Sequence, residues 1–422
     1  MNDKPAYSLR TETLAGITSF LTMSYILFVN PMILADAGMN PKGVLSATVL
    51  VCASSCIFMG LYCNLPYVLA PGMGLNAFFT YTLVLHQGMS WQEALGATVL
   101  SGLIFFVLTF LQIRKWIAEA ICEDLRISIA AGIGIFLAFI GLQSADIVQI
   151  SSTTMVRPGQ LGETSLIFIF GLLLSAFLLL RKIPGSLLLG ILGTTVAAAA
   201  MGKISMPETF ISSPDFHSVF FKFDLSGVLK VSMIASVFTM LMTDLLDSLS
   251  SFLGISQAAN LIDESGRPKN LQKALVVDAF ATTAAGVCGS SAGTVYIESA
   301  AGIQQGGRTG ITAVVCGLCF LPFLFLSDLA LLIPRYATAP TLVLVGTFML
   351  QNLRKLKLER MEDALPSFLA MILIPLTFSI TQGIVWGILS YTALRILGGR
   401  FEELNGGLLL LSLLSGIILF LG

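Results

Sequence analysis

Hydrophobic runs of roughly 15–22 residues, the length a bilayer demands of a spanning segment, recur along the whole sequence. They fall at 14–35, 44–63, 66–86, 92–112, 127–143, 164–181, 185–201, 229–253, 271–288, 291–307, 309–327, 337–351, 364–380 and 382–397. That makes fourteen, and the apolar tail 405–421 is a candidate for one more. In lipid every backbone N–H and C=O must be satisfied inside the protein, so such runs are helical unless protein or a water-filled cavity covers an irregular stretch. Only 11% of the 422 residues are charged and the mean hydropathy is +0.89, against roughly 25% charged in soluble proteins. The expectation is an all-α polytopic membrane protein. The polar, short opening from Met1 to Ser8 predicts no cleavable signal peptide. Seven cysteines, among them Cys52, Cys56 and Cys316, lack metal spacing and read as small packing residues. No basic tract long enough for nucleic acid exists, and no cofactor is implied.

Lys and Arg set the orientation. With the N-terminus cytoplasmic, 17 of the 23 basic residues fall on the cytoplasmic side of a fourteen-span chain, which points to the cell membrane with multiple passes. The longest exposed piece, Gly202 to Phe223, then becomes an external loop, with room for a surface helix. His86 and His217 fall near the same surface and read as solvated. Gly302 to Gly310 is glycine-rich without a strand–helix phosphate context, so it predicts a tight cytoplasmic turn.

Two runs do not read as continuous helices. In the tenth, Gly293 to Ile297 is β-branched and aromatic and prefers extended backbone, while Glu298-Ser299-Ala300-Ala301 opens a small-residue helix with a carboxylate in its first turn. The third run repeats the layout: Tyr67 to Ala70 is extended, Pro71-Gly72 breaks the chain, and a helix begins near Asn76. Seven spans separate the copies, and an odd repeat length inverts the second copy across the membrane. Paired broken segments of this kind point to a central binding site in a secondary transporter. Small residues nearby, such as Thr282-Thr283-Ala284-Ala285-Gly286, permit close helix approach.

Few ionisable residues lie far from span ends: Asp244, Asp247, Asp278 and Glu298. Intramembrane carboxylates are costly, so each is a functional candidate. Asp244 and Asp247, three residues apart, share one helix face and could line one cavity; the alternative is that they bond to neighbours such as Ser248 and Ser250 and fix packing. Glu298, beside a positive helix end and free N–H groups, suits a standing acceptor for a ligand's N–H groups. Asp247, in mid-helix, suits taking up and releasing a proton. Phe78, Phe79 and Tyr296 lie beside the breaks and could stack on a flat ring or simply pack.

The run Gly16 to Pro31 (Gly-Ile-Thr-Ser-Phe-Leu-Thr-Met-Ser-Tyr-Ile-Leu-Phe-Val-Asn-Pro) resembles the first span of the purine-base permeases, the adenine and hypoxanthine/guanine branch of the nucleobase–ascorbate transporter superfamily. Ala70 to Phe79, Tyr296 to Gly302, and Gly306 to Gly310 look like its third- and tenth-span signatures, and the similarity runs from about residue 8 to 400. The resemblance implies fourteen spans in two inverted repeats of seven, with short strands in spans 3 and 10. It implies a core domain (1–112 and 229–336) and a gate domain (113–228 and 337–422), with proton-coupled import of a purine base by alternating access. Glu298 would hydrogen-bond the base. Asn76, Ile297, Tyr296 and Phe78 would contribute beside it, and Asp247, with Asp244, would tie substrate to proton. A homodimer through the gate is left open. The sequence departs from the family at span 8, where Leu246 replaces a Phe and Ser250 a Gly, which bears on pocket size and substrate choice. Two rivals remain: an anion carrier of the sulfate/bicarbonate type with the same architecture, whose substrate Glu298 and Asp247 would repel, and an intramembrane enzyme. The enzyme lacks support, because Asp244 and Asp247 share one helix and no His-Glu-x-x-His motif exists.

Overall fold

The computed structural model describes residues 8–111, 120–151, 153–204, 211–229, 233–258, 261–262 and 269–421. In chain order the helices are α1 (Leu9–Met23), α2 (Ile26–Asp36), α3 (Pro41–Phe58), α4 (Met73–Ala77), α5 (Trp91–Phe110), α6 (Glu123–Ser144), α7 (Glu163–Leu180) and α8 (Ser186–Ala200). They continue as α9 (Leu225–Val228), α10 (Ile234–Ala258), α11 (Leu271–Cys288), α12 (Ser299–Gln304), α13 (Gly310–Phe320), α14 (Ser327–Leu331), α15 (Arg335–Met349), α16 (Met361–Thr377), α17 (Ile380–Leu397) and α18 (Gly406–Leu421). Among the described residues there are four short strands: β1 (Leu69–Pro71), β2 (Val148–Ser151), β3 (Met155–Pro158) and β4 (Gly293–Val295).

Among the described residues, eight helical segments are at least 18 residues long and apolar enough to cross a membrane. The other six expected runs coincide with shorter or broken elements. Runs three and ten are strand plus helix, and α8, α15 and α16 have 15, 15 and 17 residues. In the eleventh, α13 tightens into a 3-10 turn over Leu321–Phe325 that opens on Pro322. The apolar tail forms α18, whose 16 residues reach roughly 24 Å, short of the ~30 Å hydrocarbon core. It packs along α17, with Thr392 and Ser412 hydroxyls 2.6 Å apart.

The helices sort into two packed groups. One joins α1, α3, α5, α10, α11 and α13; the other joins α6, α7, α8, α15, α16 and α17. Glycines make the closest approaches in each. A Cβ on Gly310 would fall 1.9 Å from the Gly60 carbonyl, and one on Gly346 would fall 2.3 Å from that of Gly134. Any larger residue there would force α13 off the second span, or α15 off α6.

The loop expected on the outside carries no surface helix over 211–223; only the short α9 follows it. Its backbone is strapped to the first group instead: Asp215 N donates to Ser46 Oγ at 3.1 Å, Phe221 N to Val287 O at 2.9 Å, and Asp224 N to Gln92 O at 2.9 Å. Partial burial pulls the Asp215 carboxyl upward, but hydrogen bonds from Ser218 and the His217 amide outweigh it and hold the group below the usual carboxylate range. An antiparallel hairpin, β2 with β3, fills the connection between α6 and α7. It is the one strand pair of the described residues that lies outside the broken runs.

Candidate substrate-binding site

The two broken runs meet. β1 pairs antiparallel with β4 in the register Leu69↔Val295, Ala70↔Thr294 and Pro71↔Gly293. The pairing solves the problem of extended backbone in an apolar interior, because each strand satisfies the other. Flanking bonds extend it: Gly72 N to Ala292 O at 2.9 Å, Tyr296 N to Val68 O at 2.9 Å, and Val68 N to Ser299 Oγ at 3.0 Å. Neighbouring spans supply the rest. Leu69 N donates to Cys56 Sγ at 3.2 Å, and Thr282 Oγ1 to Gly293 O at 3.0 Å. Pro71 has no N–H to orphan, and its carbonyl accepts from Tyr296 Oη at 2.5 Å.

Glu298 occupies the position just before α12 and is half-buried. The expected free N–H groups are not there: Ser299, Ala300 and Ala301 donate to the carbonyls of Tyr296, Ile297 and Glu298 at 3.0–3.1 Å. A tight first turn consumes them. The carboxylate is held instead by Tyr25, whose Oη donates to Glu298 Oε1 at 2.7 Å. Tyr25 sits where Ser24 and Tyr25 interrupt the first span between α1 and α2. Its polar tip had no partner legible in sequence, since the contact closes a separation of 273 residues.

The aspartates divide. Asp244 is fully buried and accepts from Thr282 Oγ1 at 2.8 Å and Ser248 Oγ at 3.3 Å. Ser248 also lies 2.7 Å from Asp278 Oδ1 and 2.9 Å from Thr294 Oγ1. Asp244 and Asp278 thus belong to a hydroxyl network joining α10 and α11 to β4. Asp247 alone of the two lines a cavity of about 40 Å³ between the helix groups, with Gly74 and Leu75 from the third run, Leu246 and Ser250 from α10, and Arg126 from α6. Both departures from the family pattern, Leu246 and Ser250, stand on this wall.

Asn76 is fully buried and accepts from Ser291 Oγ across the two broken runs. Phe78 is fully buried, as is Phe79, and Tyr296 is 5% exposed with its hydroxyl engaged, whereas Ile297 is 56% exposed. Of the expected ligand-facing set, the structure leaves Asp247, Glu298 and Ile297 accessible and closes Asn76, Phe78 and Tyr296 into the packing. A second buried link, Asn30 Nδ2 to Thr48 Oγ1 at 2.7 Å and to Ser290 Oγ at 3.0 Å, ties the first span to the segment before β4.

Two broken runs paired by short strands within an assembly of apolar helices define a multi-pass membrane protein. The fold is that of the transmembrane domain of a cyanobacterium bicarbonate transporter BicA, with a TM-score of 0.68 over 92% of this chain and 98% of that one at 17% identity. SLC26A9 follows with a TM-score of 0.66 over 93% of this chain and 67% of that one at 12% identity. In sequence, residues 10–386 match the model of the Permease family (Xan_ur_permease), and the chain belongs to that family. It is 38% identical to the adenine permease AdeQ of Escherichia coli over 94% of this chain and 90% of that protein. It is 34% identical to the guanine/hypoxanthine permease PbuO of Bacillus subtilis over 98% of each. The family is one of permeases, not enzymes.

Proposed function

We propose that the protein is a secondary active transporter that imports purine nucleobases together with protons. The observation that carries this is the pairing of the two broken runs, which sets a tyrosine-held carboxylate, Glu298, and a cavity-lining one, Asp247, at the centre of the helix assembly. Carboxylates accept from the ring and exocyclic N–H groups of a base, and relatives named for adenine and for guanine/hypoxanthine share the chain nearly end to end. Asp247 carries the proton and Glu298 the base. The bicarbonate transporter's likeness at 17% identity is one of fold, and two central carboxylates disfavour a small anion.

The two helix groups act as core (1–112 and 229–336) and gate (113–228 and 337–422) in a fourteen-span chain with a cytoplasmic N-terminus. α15 supports alternating access between them. At its start Arg335 pairs with Asp36 at the end of α2, 2.5 Å away, and Asp36 also accepts from Tyr81 Oη at 2.8 Å. At its other end Met349 lines the cavity. This helix, which starts at Arg335 just before the 337 boundary and runs on through the gate, is therefore tied to α2 of the core at one end and reaches the cavity at the other; with a cytoplasmic N-terminus the tied end is the outer one. A space of about 40 Å³ is well below the ~300–1,000 Å³ of ordinary ligand sites, so core and gate part to admit a ring.

Uptake of labelled adenine, hypoxanthine, guanine, xanthine and uracil by reconstituted protein, with and without a protonophore, tests the proposal. Purine accumulation that collapses with the protonophore is expected. Sulfate or bicarbonate accumulation without competition by any base overturns it.

A further inference from the structure

The cavity beside Asp247 has a second charged wall that the carboxylate chemistry does not use. Arg126 stands on the second turn of α6, in the helix group opposite α10, and its Nε is buried without a hydrogen-bond partner among the described residues. No ion pair among the described residues joins it to Asp247, although both line the same space. A buried guanidinium N–H without an acceptor is costly; of the other walls, Gly74, Leu75, Ile133 and Leu246 carry no side-chain acceptor, and neither the Thr243 nor the Ser250 hydroxyl bonds to Nε. A ligand held between the two groups relieves that cost if it turns donors toward Asp247 and acceptors toward Arg126.

We infer that Arg126 reads the acceptor edge of the transported base and makes the site selective for 6-oxopurines, hypoxanthine and guanine, over adenine. This rests on the purine-transport proposal. Arg carries five donors in a planar fork and no acceptor. The neighbouring O6 and N7 of a 6-oxopurine are two acceptors that match the fork bidentately, whereas adenine sets an N6 amino donor beside N7. Facing Arg126, that amino group meets a second donor and loses one bond of the pair. The 6-oxopurine meanwhile keeps N–H groups for a carboxylate on the opposite wall. Because Arg126 comes from one helix group and Asp247 from the other, a base that satisfies both also bridges them, and selection and closure become one event.

The test uses the full chain in proteoliposomes, with labelled hypoxanthine competed by unlabelled hypoxanthine, guanine, adenine and 7-deazahypoxanthine. Wild type is expected to favour hypoxanthine over adenine roughly five- to hundredfold, the discrimination of one bidentate pair. Arg126→Gln should move that ratio toward adenine, since a carboxamide offers one donor and one acceptor and fits N6/N7. Arg126→Lys should keep the sign of the preference with a smaller ratio. An Arg126→Gln ratio equal to wild type overturns the inference, whatever happens to total uptake. Should that variant fail to fold, 7-deazahypoxanthine decides on wild type alone: competition as strong as hypoxanthine removes the N7 contact and the inference with it. Equal competition by adenine and hypoxanthine sinks the inference and leaves purine transport standing, while no competition by any purine sinks the transport proposal itself.

Discussion

The third and tenth runs carry one design with two different outcomes. Each has a three-residue strand followed by a helix, with a polar side chain near the helix start (Asn76 inside α4, Glu298 just before α12), and the strands bond to each other. In the third run that side chain, Asn76, is fully buried and takes a hydrogen bond from Ser291 of its partner. In the tenth, Glu298 stays half-exposed and is steadied by Tyr25 from the kink of the first span. Of the two polar side chains that follow the paired strands, one is thus consumed by a contact between the runs and the other keeps part of its surface accessible. An amide with donor and acceptor suits the fastening role, while a carboxylate, acceptor-only when ionised, suits recognition of N–H groups.

Four substitutions break or sharpen that contrast. Glu298→Gln keeps the shape but replaces one acceptor oxygen by a donor, and labelled-purine uptake should fall about a hundredfold, at the upper end for a charged hydrogen bond, with the detergent melting temperature unchanged. Melting as far below wild type as an Asn76 variant would erase the distinction between the runs. Asp247→Asn should abolish accumulation against a gradient while costing equilibrium binding of the base only one hydrogen bond, about five- to tenfold. Equal loss of both would remove the proton role. Asn76→Ala should act mainly on stability, by about 1–3 kcal/mol, because it leaves Ser291 Oγ buried without its acceptor. Measured by thermal denaturation, uptake per folded molecule should change little, and a selective loss of transport would return Asn76 to the ligand. Tyr25→Phe removes one bond to Glu298 and should weaken affinity about five- to tenfold, read as an increase in KM with the maximal rate nearly kept.

Much of this architecture is legible in the chain. Apolar run length predicted the spanning helices because the bilayer sets that length. The third and tenth runs betrayed themselves through β-branched and Pro-Gly segments that helices do not favour. Glu298 and Asp247 stood out because carboxylates are rare at such depth. Asp244 shares the face of Asp247 and reads equally well as a packing group, and its hydrogen bonds to Thr282 and Ser248 place it in the packing network. Helical spacing put it on one face with Asp247, and spacing alone cannot say which of two groups three residues apart meets a neighbouring helix and which meets open space.

The sequence by itself determined that this is a polytopic membrane protein, that its third and tenth runs break, and that Glu298 stands at one of those breaks, because these follow from local composition and length. Only the tertiary structure decided which polar groups are already matched. Tyr25 with Glu298 and Ser291 with Asn76 join residues more than two hundred positions apart, while Arg126 and Asp247 share a cavity without pairing among the described residues. In an apolar interior every polar atom needs a partner, and which partner is available is set by how the helices pack, not by the order in which they are written.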